Sequence, residues 1–182
     1  MNVGTISMRY ARALLSYAME QGVDEAIYRN MSQLVHTLEY VKELPVLLRA
    51  PVLTPDERVK LICETVDGND VFEHFARLVV KEEREELLFF IAHSYMTLYR
   101  KEKGILSVSF TTATPVSDSL YDKVEKLVGE CYGAKVELNN VVDPSVVGGF
   151  VYEANSVRVD ASVRGQLQEI RKKLVEQNRK LV

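Results

Sequence analysis

Cysteine is scarce in this 182-residue chain, and the two that occur, Cys63 and Cys131, stand far apart with no CxxC spacing. That excludes a disulfide framework or a thiolate zinc knuckle and leaves two inert thiols. Glycine and proline are few, at nine and five, and no GxxxxGK[ST] phosphate loop occurs among them. The pair Gly148-Gly149 lacks the third glycine and the following helix start that would let backbone amides cradle a pyrophosphate. The three histidines, His36, His74 and His93, fall on three separate segments with no HExxH spacing, and no serine sits in a GxSxG turn. The longest unbroken apolar run, Leu87 to Ala92, has six residues, where a membrane span needs roughly 20. These absences argue against catalysis, a metal, a cofactor, a small-molecule substrate and direct membrane insertion.

What is present is a folding composition, 47% hydrophobic and 27% charged, which is too apolar for an intrinsically disordered chain. The net charge of -3 and a pI near 5.7 argue against broad attraction to nucleic acid or anionic lipid. The charge is unevenly spread. From Ser162 onward Arg164, Arg171, Lys172, Lys173, Arg179 and Lys180 face only Glu169 and Glu176, so the tail carries +4 and the remainder -7. Such a tail suits an acidic partner. A helical pattern beginning within the first ten residues leaves no signal or transit segment, and the expected product is bacterial and cytoplasmic.

Apolar periodicity predicts six helices over the first 104 residues. The first runs from about Ser7 to Gln21 and stops at Gly22; besides Ala11, Leu14, Leu15 and Ala18 it carries a second apolar set, Tyr10, Ala13 and Tyr17. An arc that wide implies a central helix or one that also meets a partner. The second, Asp24 to Glu43, sets Ile27, Met31, Leu34, Val35, Leu38 and Val41 on one face. Pro45 and Pro51 bracket a short third segment, Val46 to Ala50. Thr54-Pro55-Asp56-Glu57 reads as a capping box opening a fourth helix, and Asp70 as the cap of a fifth with Val71, Phe72, Phe75, Leu78 and Val79. The acid-rich stretch from Lys81 to Glu86 reads as a solvated junction before a sixth, which contains Leu88, Ile91, Tyr95 and Leu98 and stops at Gly104.

There the period changes from 3.6 to 2: Leu106, Val108 and Phe110 alternate with polar residues, as a half-buried strand requires. A helix from Ser117 with Leu120, Val124, Leu127, Val128 and Cys131 follows, then a strand from Lys135 to Val142. A hairpin of Gly149 to Ala154 and Val157 to Asp160 turns at Asn155-Ser156. The last helix, from Ser162, aligns Val163, Leu167, Ile170, Leu174 and Leu181. The expected fold is mainly α, an amino-terminal six-helix bundle (1–104) followed by a small α+β carboxy-terminal domain (105–182) with a β-hairpin and terminal helix.

The stretch Asp143-Pro144-Ser145-Val146-Val147-Gly148-Gly149-Phe150-Val151, followed by Val159-Asp160-Ala161-Ser162-Val163-Arg164-Gly165-Gln166-Leu167, closely resembles the signature of the ATP synthase delta family, also called the oligomycin-sensitivity-conferral family. Arg9-Tyr10-Ala11-Arg12-Ala13-Leu14 is similar to that family's opening helix. The residues have structural readings of their own. Gly148 and Gly149 permit a tight entry to the hairpin, Asp160 or Ser162 can satisfy amides at the last helix, Gly165 lets the hairpin backbone approach that helix, and Arg164 can reach Asp160 or a neighbouring chain.

The resemblance implies a non-catalytic stator adaptor of the rotary, proton-translocating ATP synthase, peripheral on the cytoplasmic side of the bacterial plasma membrane. It implies a helical domain gripping the amino-terminal segments of the catalytic head's alpha subunits and a carboxy-terminal domain bound by the b subunits of the peripheral stalk. The wide apolar arcs of the first and fifth helices form a candidate groove for an amphipathic partner helix, with Tyr10, Leu14, Tyr17, Phe75, Leu78 and Val79 as its residues. Arg171, Lys172 and Arg179 are the stalk-binding candidates. A helical adaptor of another complex stays open as the alternative.

Overall fold

The computed structural model describes residues 3–50, 52–154 and 157–179; Pro51, the Asn155-Ser156 turn, Lys180, Leu181 and the side chains of Glu176 and Arg179 lie outside the described residues. The chain divides into two compact units, Met1–Glu102 and Lys103–Val182. It is mainly helical, with its sheet confined to the second unit.

The first unit comprises α1 (Val3–Glu20), α2 (Asp24–Tyr40), the short α3 (Leu44–Leu48), α4 (Pro55–Glu64), α5 (Asp70–Lys81), a 3-10 turn (Glu85–Leu87) and α6 (Leu88–Lys103). Local chemistry sets most of these ends. The Thr54 hydroxyl accepts from the Glu57 amide while the Glu57 carboxylate accepts from the Thr54 amide, so the expected capping box opens α4. At α5 the cap is Asn69, whose Oδ1 accepts from the Phe72 amide at 2.9 Å, and Asp70 is the first helical residue instead. Both side chains can cap, and the amide one residue earlier is the one at N-cap geometry. α1 begins four residues before the expected Ser7. α2 ends three before Glu43, leaving Val41 beyond the helix, where its amide closes onto the Thr37 carbonyl.

The core of this unit is drawn from all these helices: Ala11, Ala18, Ile27, Met31, Leu34, Leu48, Ile62, Phe72, Ala76, Val79, Leu88, Ile91 and Tyr95 are buried. Tyr95 is fully buried, and its hydroxyl is satisfied by donating to the Asp24 carbonyl at 3.1 Å; burial pushes its phenol well above the ordinary range. Arg58 on α4 and Glu85 before α6 form a 2.9 Å ion pair with side chains only 19% and 7% exposed, and Arg58 also donates to the Ala50 carbonyl. This pair holds the acid-rich junction down onto α4.

The second unit comprises β1 (Ile105–Thr112), α7 (Asp118–Tyr132), β2 (Lys135–Val142), a 3-10 turn (Pro144–Val146), β3 (Phe150–Ala154), β4 (Val157–Asp160) and α8 (Val163–Arg179). The strands form one sheet in the order β2-β1-β3-β4. β1 and β2 are parallel, Ile105 opposite Lys135 through Thr112 opposite Val142, because α7 intervenes as a crossover. β3 pairs antiparallel with the other side of β1, and β4 with β3. The alternation in β1 buries Leu106, Val108, Phe110 and Thr112. Leu106, Val108 and Phe110 pack with Val136, Leu138 and Ala154 beneath Tyr121, Val124 and Val128 of α7, and the Tyr121 hydroxyl donates to the Leu138 carbonyl. Gly133, at φ 61°, closes α7 by donating its amide to the Gly129 carbonyl.

Removing one member of a buried ion pair strands the other. Glu85→Ala is therefore expected to destabilise the helical unit by about 3 kcal/mol, whereas Glu86→Ala, in an exposed pair with Arg49, costs under about 1 kcal/mol. Urea unfolding of the two variants checks this, and equal midpoints refute it.

Candidate partner-binding sites

α1 presents Tyr10, Ala13, Leu14 and Tyr17 at i, i+3, i+4 and i+7, and α5 presents Val71, His74, Phe75 and Leu78 at the same spacing. These two stripes line one cleft of about 200 Å³. Leu14 and Phe75 form its floor and are buried, while Tyr17 and Leu78 stand on its rim, 47% and 48% exposed. Tyr10 is half-buried. Five of the six candidates from the sequence thus share the cleft. Val79 does not: it is fully buried, because Phe72, Ala76, Val79 and Val80 recur at core spacing on the opposite edge of the same wide arc. Ala13, Val71 and His74 were missed. Their signal was the i, i+3 and i+4 repetition of the residues that were named.

The cleft is smaller than the roughly 300–1,000 Å³ typical of small-molecule sites, and its lining contains no carboxylate, hydroxyl nucleophile or thiol other than the two tyrosines. The one titratable imidazole, His74, has Nδ1 2.6 Å from the Asp70 carbonyl. Since a carbonyl only accepts, Nδ1 carries the proton and the ring is oriented by its own helix. His36 stacks on Tyr40 and His93 packs against Phe89. Among the described residues there is no group of three or more His, Cys, Asp or Glu placed to hold a metal ion, and no helix is long and apolar enough to cross a membrane.

In the second unit the signature residues converge where β4 turns into α8. Asp143 accepts from the Ser145 amide at 2.9 Å and from its hydroxyl at 2.8 Å, and Arg164 donates to that same hydroxyl at 2.9 Å. Asp160 accepts from the Ser162 amide and hydroxyl, and the Ser162 oxygen, nearly buried, caps α8 by accepting from the Gly165 amide at 2.9 Å. Arg164 therefore ends on Ser145 and not on Asp160. Both carboxyls are held below their ordinary range, Asp143 chiefly by the Ser145 amide and Asp160 chiefly by the Ser162 hydroxyl.

The glycines answer to close approach. Gly149, at φ +76°, would place a Cβ 2.3 Å from the Ala161 carbonyl oxygen, and a Cβ on Gly148 would press on Val163 at 3.3 Å. What crowds Gly165 is the Asp160 carboxylate, 2.8 Å from an added Cβ, and not hairpin backbone. Main-chain bonds from Val163 to Gly148 and from Ala161 to Phe150 complete the corner. The polar groups here are spent on one another, so the cluster locks the fold.

α8 leaves this corner with its apolar stripe uncovered: Leu167, Ile170 and Leu174 are each more than half exposed and Val163 nearly so. Their 4-3-4 spacing is a coiled-coil seam. Of the basic candidates, Arg171 adjoins Ile170 beside the seam, Lys172 falls on the far side of the helix, and Arg179 lies one heptad beyond Lys172. α7 is likewise divided. Tyr121, Val124 and Val128 pack on the sheet, but Leu120 and Leu127 of the expected apolar set face outward.

A sequence model of the family described as ATP synthase delta (OSCP) subunit matches residues 6–174. The chain is 39% identical over 186 aligned residues to the ATP synthase subunit delta of Bacteroides fragilis, covering all of both chains. It is 31% identical to that of Enterococcus faecalis, covering 94% of this chain and 96% of the relative. Its fold is similar to a chain of the Toxoplasma gondii mitochondrial ATP synthase hexamer, with a TM-score of 0.71 at 16% identity, covering 93% of this chain and 97% of that one.

The Gly165 contact predicts a non-additive pair. Gly165→Ala is expected to lower the stability of the second unit by about 1–3 kcal/mol, and adding Asp160→Ala, which removes the clashing carboxylate, to recover part of that loss. Thermal unfolding of the two single variants and the double variant measures the coupling. Simple additivity shows that the carboxylate is not what requires glycine.

Proposed function

The chain belongs to the ATP synthase delta (OSCP) subunit family and is a non-catalytic stator subunit of an ATP synthase, and from that premise we propose how it makes its two grips. The amino-terminal segment of an alpha subunit of the catalytic head docks as an amphipathic helix in the cleft between α1 and α5. The b subunits of the peripheral stalk dock on α8. The adaptor sits peripherally on the cytoplasmic side of the bacterial plasma membrane, held there by its partners.

The observation that carries this reading is the cleft. Two parallel stripes of apolar and aromatic side chains, left over after each helix has filled the core, suit the i, i+3, i+4, i+7 anchors of a third helix. Tyr10 and Tyr17 supply large, stiff contact surfaces of the kind that dominate binding energy. A joint that resists torque has to stay closed through every catalytic cycle; nanomolar affinity corresponds to about 12 kcal/mol, within reach of a few fully desolvated anchors.

For the stalk, the exposed seam of Val163, Leu167, Ile170 and Leu174 supports pairing with a helix of the b subunits, with Arg171 beside the seam adding attraction to acidic residues. Lys172 and Arg179 contribute long-range charge. The second grip, with Arg171, Lys172 and Arg179 along its helix, then responds the more strongly to salt. Neither grip needs a catalytic residue, in keeping with a part whose task is to hold the head still while the rotor turns.

Calorimetric titration of the full-length chain with a synthetic peptide from the amino terminus of the alpha subunit is expected to show saturable binding that Tyr10→Asp weakens at least tenfold. No binding by the native chain would sink the cleft assignment. On the other unit, Leu167→Asp is expected to abolish capture of the purified b-subunit soluble domain while Lys172→Glu leaves it within about threefold at physiological salt; the reverse order would return the stalk contact to the basic face.

A further inference from the structure

Arg84 is flanked in sequence by Glu82, Glu83, Glu85 and Glu86, yet none of the four holds it. Glu85 is committed to Arg58 and Glu86 to Arg49. Other arginines of the helical unit that pair with carboxylates include Arg29, Arg49, Arg58 and Arg77. The half-buried Arg84 instead lies over the ring of Tyr10, its guanidinium carbon 5.6 Å from the ring centroid, and among the described residues no carboxylate stands within ion-pair distance of it. Tyr10 is part of the cleft wall. The cation therefore stands at one end of the cleft, where α5 has just finished.

Resting on the reading that this cleft takes an amphipathic helix, we propose that Arg84 is its specificity residue: it receives a carboxylate of the docked helix and so fixes which segment binds and in which direction. A guanidinium held over an aromatic ring by cation–π attraction spends none of its N–H donors on a carboxylate, so they stay available for a bidentate one. The neighbouring cleft walls are apolar, which strengthens such a pair relative to one in open water. A half-desolvated guanidinium without a counter-ion is also costly in the free protein, and a carboxylate relieves that cost.

Direction follows from the opposite end. The lining there, Tyr17, Val71 and His74, holds no lysine or arginine to receive a carboxylate. The partner that fits is thus an amphipathic helix with its acidic residue at the Arg84 end.

The test titrates the full-length native chain, Arg84→Gln and Arg84→Lys with two peptides: the alpha-subunit amino-terminal segment, and a copy with every Asp and Glu replaced by its amide. The native chain is expected to prefer the acidic peptide by about fivefold to tenfold at low salt, Arg84→Gln to bind both within about twofold, and Arg84→Lys to keep part of the preference. An unchanged preference in Arg84→Gln, equal weakening of both peptides, no preference in the native chain, or a segment that has no carboxylate each overturns the assignment while leaving the cleft reading intact. Failure of the native chain to bind either peptide overturns both.

Discussion

An α-helix can turn only about half its circumference toward one core, and α1 and α5 carry apolar arcs wider than that. The surplus is left over once the core side of each helix has been filled by Ala11, Ala18, Phe72, Ala76 and Val79. What remains is a pair of facing stripes that another helix can cover. The same imbalance recurs at α8, whose seam is left exposed among the described residues. On the proposed reading, the apolar surface that folding leaves over is what the partners cover.

Such surfaces hold torque only if the elements bearing them do not shift. In the helical unit the junction after α5 is pinned by the buried Arg58–Glu85 pair, and α6 is tied to the start of α2 by the Tyr95 hydroxyl on the Asp24 carbonyl. In the second unit the start of α8 is tied by main-chain bonds to Gly148 and Phe150 and by the Asp143–Ser145–Arg164 and Asp160–Ser162 contacts. The signature residues therefore set where the exposed seam of α8 begins. Val147 sits in the same corner at φ 66°, a conformation that a β-branched residue adopts only where its surroundings impose it.

Much of this was legible from local chemistry. The capping box at Thr54 and Glu57, the stop of α7 at Gly133 and the alternation of β1 depend on residues within a few positions of one another, and each appeared where it was expected. Two of the differences were also local in kind. At Asn69 and Asp70 two capping residues stand side by side, and Val41 continued a period that the backbone had already left.

Sequence alone established a mainly helical chain ending in a small α+β unit with a β-hairpin, eight helices in their order, the surplus width of α1 and α5, and the family to which the signature points. Tertiary structure decided which edge of each wide arc faces inward, and so removed Val79 from the cleft and brought in His74. It decided that Arg164 meets Ser145, that Gly165 makes room for a carboxylate, and that Arg84 rests on Tyr10 although four glutamates adjoin it in sequence. The reason is physical. Period and capping are fixed by neighbours along the chain, whereas the partner of a side chain depends on which helix face or strand end lies opposite, and residues as far apart as Tyr10 and Arg84 meet only once the chain has folded.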